Sequence, residues 1–324
     1  MPVSFKRCRP CWGQAEPVSV KAEQPFKRVA ILGLGLIGGS IAAAMKARDL
    51  AVVIVAFDLA PAELAQGLAL GLIDEAADSA NAAVQGADLV ILAVPVLAIE
   101  PLLVQISRDV SESAVITDVG SVKSPIIDAA RRQLPNLLSR IVPGHPIAGS
   151  EQHGVQAANA DLFLRHKVIL TPLPETHGSN LAKLTAFWQA LDADVVEMSP
   201  THHDAVLAQT SHLPHLLAYA LIDTLSMQGD SLEIFDYAAG GLRDFSRIAA
   251  SDPVMWRDIY QANSGPVLEI LDRYMKELME LRELIANGQS EELTAVLTRA
   301  KLARDHFSVL LSQRSQTTNS QEIP

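Results

Sequence analysis

Six consecutive residues, Gly33-Leu34-Gly35-Leu36-Ile37-Gly38, constrain this chain more than any others. A G-x-G-x-x-G alone is a weak signal. Here it stands directly between an apolar run, Arg28–Leu32, and an Ala-rich segment of helical character, Gly38–Ala47. In such a strand–loop–helix the glycines have separate tasks: Gly33 permits the tight turn, Gly35 lets a pyrophosphate approach the backbone, and Gly38 lets helix pack on strand. The anion then faces the free N–H groups at a helix N-terminus, with Leu36 and Ile37 in the same loop. The motif also explains Val29–Met45, 17 residues without a charge. That stretch falls just short of a bilayer-spanning length and carries four glycines, so no membrane partner is expected.

Around the motif, short apolar runs alternate with helical segments. Candidate strands are Arg28–Leu32, Val52–Phe57, Leu89–Val94, Ala114–Asp118, Arg140–Val142, Val168–Leu170 and Val195–Met198, with helices such as Gly38–Ala47, Pro61–Leu70 and Ile126–Gln133 between them. The runs are apolar on both faces, as strands covered by helices on each side must be. The pattern is that of an α/β Rossmann-like domain with a parallel-rich sheet. After Ser199-Pro200-Thr201 no strand pattern recurs, and an all-helical domain follows. Thr201 to Asp204 has the spacing of a capping box, and Ser251-Asp252-Pro253 is a second helix start. Pro214 and Pro266 are expected to kink or interrupt their helices. Leu268, Leu271, Met275, Leu278 and Ile285 form an apolar stripe at helical spacing, more than a small helical domain easily buries, which points to a homodimer. The expected division is a disordered extension over 1–25, a dinucleotide-binding domain over 26–199, a helical substrate and dimerisation domain over 200–312, and a disordered tail over 313–324.

Charge and composition narrow the partners. With 26 basic and 37 acidic residues the net charge is −11, which argues against nucleic acid or an anionic membrane surface. Apolar residues make up 49% of the chain, enough for real cores, but aromatic ones only 5%, so those cores rest on Ala, Leu, Val and Ile. The two cysteines, Cys8 and Cys11, form a lone C-x-x-C with no second pair for a four-sulfur zinc site and no βαβ context for a redox motif. The first 25 residues contain no apolar h-region and do not read as a secretory signal, so the cytoplasm is the expected location.

The second cofactor signal is Asp58, 20 residues beyond Gly38 and at the end of the next strand. An acid there accepts hydrogen bonds from the ribose hydroxyls of the adenosine half and repels a 2′-phosphate. No Arg or Lys occurs within Leu59–Leu70 to pair such a phosphate, so NAD is favoured over NADP.

Open α/β sheets bind ligands beyond the carboxyl ends of their strands. Two polar side chains lie there: Ser121, in Asp118-Val119-Gly120-Ser121, and His145, in Pro143-Gly144-His145-Pro146. A histidine titrates near neutrality and suits removal of a hydroxyl proton as hydride leaves, although capping a turn would also explain it. Ser211-His212-Leu213-Pro214-His215 places two histidines on one helix face if the helix persists through Pro214. H-E-x-x-H is absent and no third ligand has suggestive spacing, so no metal is expected. His202 and His203, at a helix start, read as exposed polar residues. In Arg243-Asp244-Phe245-Ser246-Arg247, a guanidinium is suited to a bidentate grip on an acidic substrate; a surface salt bridge explains the same spacing.

Five segments now stand in order: Gly33–Ser40, Asp118-Val119-Gly120-Ser121-Val122-Lys123, Gly144-His145-Pro146-Ile147-Ala148-Gly149, Ser211–His215 and Arg243–Arg247. Together the chain resembles the prephenate/arogenate (cyclohexadienyl) dehydrogenases of tyrosine biosynthesis, over about residues 26–312. The resemblance implies an oxidative decarboxylation of prephenate to 4-hydroxyphenylpyruvate, with hydride passing to NAD⁺. It implies that His145 takes the proton of the C4 hydroxyl, that Ser121 helps hold that group, and that Arg247 binds a substrate carboxylate. It also implies that His215, with His212 beside it, contributes to the pocket, that Glu151 stands at its mouth, and that the helical domain forms an intimate homodimer. The terminal extensions do not belong to the family core, and no fused mutase domain is visible.

Two other readings compete. A β-hydroxyacid-type dehydrogenase would rely on a lysine in the helical domain, and Lys is absent from 202–240. A non-catalytic NAD-binding sensor would keep the glycine loop and Asp58 without needing Ser121, His145 and Arg247 together. Arogenate differs from prephenate by an amino in place of a keto group, and an amino group favours a nearby acid. The loop Gly149-Ser150-Glu151-Gln152-His153-Gly154 offers one, which leans the expectation to prephenate with arogenate accepted to some degree.

Overall fold

Strand β1, Phe26–Leu32, is the centre of the molecule, and Val29, Ala30, Ile31 and Leu32 are all fully buried. Val29 and Ile31 point into one hydrophobic cluster, Ala30 and Leu32 into another on the opposite face. The computed structural model describes residues 26–149, 152–227 and 235–319, with side chains to residue 309. The first 25 residues, with Cys8 and Cys11, lie outside that range, as do Glu151 and residues 320–324.

The chain alternates β1, α1 (Leu36–Ala47), β2 (Ala51–Phe57), α2 (Pro61–Ala69), β3 (Glu75–Ala76), α3 (Ala80–Val84), β4 (Leu89–Leu92), α4 (Ile99–Ile106), β5 (Val115–Asp118) and α5 (Ser124–Gln133). The five strands are all parallel in the order β3-β2-β1-β4-β5. The strand order reverses beside β1, so a crevice opens there at the carboxyl ends of β1 and β4, where dinucleotides bind in such sheets. Burying one large aliphatic or Phe side chain stabilises a fold by about 1.5–3 kcal/mol. Ile31, Ile41, Ile54, Ile91 and Phe163, each 0% exposed, therefore hold the cradle far more firmly than any loop contact.

A second sheet of three strands follows: β6 (Gly144–Pro146), β7 (Lys167–Leu170) and β8 (Asp194–Glu197), with α6 (Gly178–Ala190) between the last two. The strand expected at Arg140–Val142 is reduced to a single bridge, Ile116 with Ile141, because a tight helical turn occupies Pro135–Arg140 and Pro143 follows without an N–H. The chain forms its strand four positions later, antiparallel to β7, so His145 lies within a strand and not in a turn.

Beyond β8 the described chain is helical. Ser199 caps α7 (Pro200–Leu207), accepting from His202 N at 3.3 Å, so the expected Thr201–Asp204 capping box does not form. A π-helical turn, Ala208–His212, leads into α8 (Leu213–Ser226). Pro214 has no N–H for the preceding carbonyls, and the wider turn absorbs this without breaking the helix. Then come α9 (Gly240–Ser246), a tight turn at Arg247–Ala250, α10 (Pro253–Ala262), α11 (Ser264–Ala286) and α12 (Ser290–Asn319). Asp252 caps α10, accepting from Val254 N and Met255 N. Pro266 falls in the first turn of α11, where an N–H has no partner anyway, so it interrupts nothing. The backbone of α12 stays helical to Asn319, past the expected end at 312, since residues 313–319 are polar but contain no Gly or Pro to stop it. Trp256 and Ile259 of α10 join the same core cluster as α4 and α5, tying the helical region to the sheet. No helix among the described residues is long and apolar enough to cross a membrane.

Candidate active site

The turn between β1 and α1 is built as its glycines require. Gly33 has φ +99°, and a Cβ there would lie 2.3 Å from the carbonyl oxygen of Ala93. A Cβ on Gly38 would lie 2.0 Å from the carbonyl oxygen of Gly33, so helix and strand touch backbone to backbone. Gly35, by contrast, faces open space and lines two adjoining cavities of about 430 and 490 Å³. Asp58, with Gly33, Phe57 and Leu59, borders the larger; Leu36, Ile37, Ser121 and His145 border the other. The Asp58 carboxylate accepts from Leu34 N at 2.7 Å and Ala60 N at 2.8 Å, which fixes it at the end of β2. A bare-backbone cradle with a fixed carboxylate on one side and polar side chains on the other fits an extended dinucleotide.

At the other cavity His145 is 9% exposed and Ser121 half-buried. His145 Nδ1 lies 2.9 Å from Nε2 of His203, and His203 Nδ1 donates to Oδ1 of Asp204 at 2.8 Å. Asp204 also accepts from the backbone N–H groups of Lys123 and Ser124, each at 2.8 Å. His203 was expected to be an exposed polar residue. It is 0% exposed, because α7 turns its inner face onto β6, and only its neighbour His202 reaches solvent. Beneath these rings Lys123 is fully buried, bonded through Nζ to Asp118 and to the carbonyl oxygen of Gly144.

Burial sets the electrostatics. Desolvation, then His203, Lys123 and His212 nearby, hold the His145 pKa well below the ordinary histidine value. His203 is also lowered by desolvation, with Asp204 pulling the other way. Asp204 is lowered despite its burial, because His203 and two backbone N–H groups donate to it, so it is a carboxylate.

The remaining candidates sit behind or beside the cavity. His212 is 1% exposed, accepts from Asn263 Nδ2 at 3.0 Å, and does not reach the cavity wall. Half-buried His215 stacks on Trp256 with ring centroids 3.8 Å apart. Burial lowers the His215 pKa, the Ser211 carbonyl opposes it, and the charge of Arg247, exposed at the start of its turn, lowers it further. Nothing in the sequence around Lys123 marks it as part of the site, and the adjacent His203-Asp204 pair carries only the local pattern of a helix start. Ser251, Asp252 and Met255 also line the cavity, although their sequence pattern marks only the start of a helix. Among the described residues no group of three His, Cys, Asp or Glu is arranged to hold a metal ion.

Residues 41–197 match the family model for the nucleotide-binding domain of prephenate dehydrogenase, and residues 199–299 match its dimerization domain. The chain belongs to the prephenate dehydrogenase family. A cyclohexadienyl dehydrogenase of Zymomonas mobilis is 39% identical over 281 residues, 86% of this chain and 95% of the relative. A prephenate dehydrogenase of Bacillus subtilis is 37% identical over 279 residues, 86% of this chain and 75% of the relative. Among solved structures, the Aquifex aeolicus prephenate dehydrogenase in complex with hydroxyphenyl propionate and NAD⁺ superposes with a TM-score of 0.81 at 36% identity, covering 87% of this chain and 98% of that one. The Synechocystis arogenate dehydrogenase superposes with a TM-score of 0.73 at 29% identity, covering 86% and 99%. The family is one of oxidoreductases, and this member carries its nucleotide-binding fold together with the helical domain named for dimerization.

Proposed function

We propose that the protein oxidises prephenate to 4-hydroxyphenylpyruvate with release of CO₂, using NAD⁺. The observation that carries this reading is that His145 and Ser121 share one cavity with Gly35, Leu36 and Ile37 of the cofactor cradle. Gly35 would leave room for the pyrophosphate at the start of α1, in the turn that Gly33 and Gly38 permit, and Asp58 would hold the adenosine ribose and exclude a 2′-phosphate. NAD⁺ bound there supplies the acceptor for the hydride lost from C4.

His145 is the base. Its ring is neutral because burial opposes the charged form, so a nitrogen lone pair is available for the C4 hydroxyl proton. Ser121, on the same wall, hydrogen-bonds that oxygen and holds it toward His145. Loss of the ring carboxylate as CO₂ lets the ring aromatise, which makes the step downhill. Arg247 binds a substrate carboxylate with a planar pair of N–H groups. His215 shapes the pocket from its stack on Trp256, and His212 supports it from behind.

Arogenate is a second substrate under this reading, favoured by one observation: Asp252, whose Oδ1 caps α10, is among the residues lining the cavity, and an acid there suits an amino group. The test is turnover of purified protein with prephenate and NAD⁺, following reduced cofactor and CO₂, with arogenate in parallel. Formation of both products from prephenate supports the reading. Binding of NAD⁺ with no turnover of either substrate would instead make the protein a sensor.

A further inference from the structure

Resting on that reading, we infer that His203 and Asp204 are positioning residues that set the tautomer of His145 and take over the proton's charge during the reaction. One chain of contacts fixes which nitrogen carries each hydrogen. Asp204 is an acceptor only, and its two oxygens already receive the backbone N–H groups of Lys123 and Ser124. The contact of 2.8 Å between Asp204 Oδ1 and His203 Nδ1 therefore needs a hydrogen on that nitrogen. Neutral His203 then has a bare Nε2, which can only accept. At 2.9 Å it faces His145 Nδ1, so the hydrogen between the rings belongs to His145 Nδ1. The other nitrogen of His145, Nε2, is left with its lone pair.

Each ring's tautomer is thus dictated by the next, starting from one buried carboxylate. Without Asp204 nothing would prevent His145 from carrying its hydrogen on Nε2, where it could not act as a base. The same chain handles the charge that forms. As the substrate O–H bond breaks, a bond forms from that hydrogen to His145 Nε2. The hydrogen on Nδ1 then moves to His203 Nε2, leaving His145 neutral with its hydrogen on Nε2 and His203 an imidazolium against the Asp204 carboxylate. No electrons leave the chain. The hydride goes to the cofactor, and the proton goes into the protein.

Position favours this transfer. Among the described residues His145 is hydrogen-bonded to His203 and to no carboxylate, whereas His203 is bonded directly to one. The groups around His203 are His145 of β6, Asp204 on its own helix, Lys123 before α5, Asp118 at the end of β5 and His212 of the π turn. Lys123 and Asp118 neutralise one another as a buried pair, which leaves Asp204 as the anion in direct contact.

The first test needs no turnover. In ¹⁵N-labelled wild-type protein at neutral pH, long-range ¹H–¹⁵N spectra should show His145 with hydrogen on Nδ1 and a bare Nε2, the resonances being assigned by their loss in His145→Asn. The opposite tautomer would overturn the inference. The second test is Asp204→Asn in the full-length protein. We expect kcat for prephenate to fall about 10²-fold, within the range of general-base contributions, while KM for prephenate changes less than about threefold. Removing the anion lowers the pKa of the paired rings, so the acidic limb of the kcat profile should move to lower pH. A folded Asp204→Asn enzyme with wild-type kcat and an unmoved acidic limb would overturn the inference, even if His145→Asn is inactive and the base assignment stands. If wild-type protein does not oxidise prephenate, the functional reading fails, and the tautomer measurement alone still decides whether the dyad sets His145.

Discussion

Lys123 Nζ lies 2.6 Å from the carbonyl oxygen of Gly144, the residue immediately before His145. The same lysine donates its backbone N–H to Asp204, so one residue pins both ends of the histidine pair. A buried ammonium is costly, and desolvation pulls its pKa down. The bond to Asp118, also buried, offsets that cost, and the arrangement spends stability on holding β6 against α7. Rigidity here matters because a base misplaced by about 1 Å can cost about 10²-fold in rate.

Cofactor choice is expected to depend on Asp58. Wild-type protein should use NAD⁺ at least about tenfold better than NADP⁺ by kcat/KM, and Asp58→Ser should narrow the gap by removing repulsion of a 2′-phosphate. The carboxylate also receives the N–H groups of Leu34 and Ala60, so the serine variant should bind NAD⁺ more weakly as well. Steady-state kinetics with both cofactors checks this, and equal use by the wild type would count against the assignment.

Acid should destabilise the protein through its buried histidines. Burial, with His203 nearby, lowers the His212 pKa from 6.5 to about 4. Between those values the unfolded chain binds more protons than the folded one, so stability is full above the unfolded value and falls with pH until the folded value is passed. For His212 the loss between about pH 7 and about pH 5 is about 2 kcal/mol. Urea unfolding at both pH values should show His212→Gln with a correspondingly shallower dependence. An unchanged slope would remove His212 from the acid sensitivity.

Much of this was legible in the sequence, and the limits have physical causes. The glycine turn and the capped start of α10 were readable because backbone geometry ties each to particular residue types. The edge strand Glu75–Ala76 has only two residues and no apolar run, so no local pattern reveals it. The strand near residue 140 slipped by several positions because a helical turn and the missing N–H of Pro143, not hydrophobicity, set where pairing begins. His145 and Ser121 could be read from strand ends, but His203 could not. Its burial depends on α7 packing against β6, 58 residues away in the chain, and a histidine at a helix start carries no local sign of that.

Arg247 is expected to act in binding. A charge-assisted bond to a substrate carboxylate contributes about 1.5–3 kcal/mol, so Arg247→Ala should raise KM for prephenate about tenfold or more, with a smaller loss in kcat. The KM for NAD⁺ should barely move. Steady-state kinetics varying each substrate separates the two, and an unchanged prephenate KM would overturn the role.

The helical hairpin should be a dimer interface. Leu268, Met275, Leu278, Met279 and Ile285 of α11 and Leu297, Leu302 and Phe307 of α12 are all exposed in the single chain, a larger apolar surface than a monomer normally leaves in water. Light scattering at micromolar concentration should give twice the chain mass, and Leu278→Glu should shift it toward one. A wild-type monomer would contradict the assignment.

The central claim is that His145 takes the proton of the substrate hydroxyl, and His145→Asn tests it most directly. Asparagine keeps a hydrogen-bonding shape in β6 but cannot accept that proton. General-base contributions run about 10²–10⁴-fold, so kcat for prephenate should fall by that range while the KM values for prephenate and NAD⁺ change little. A folded His145→Asn enzyme that retains full kcat would contradict the claim.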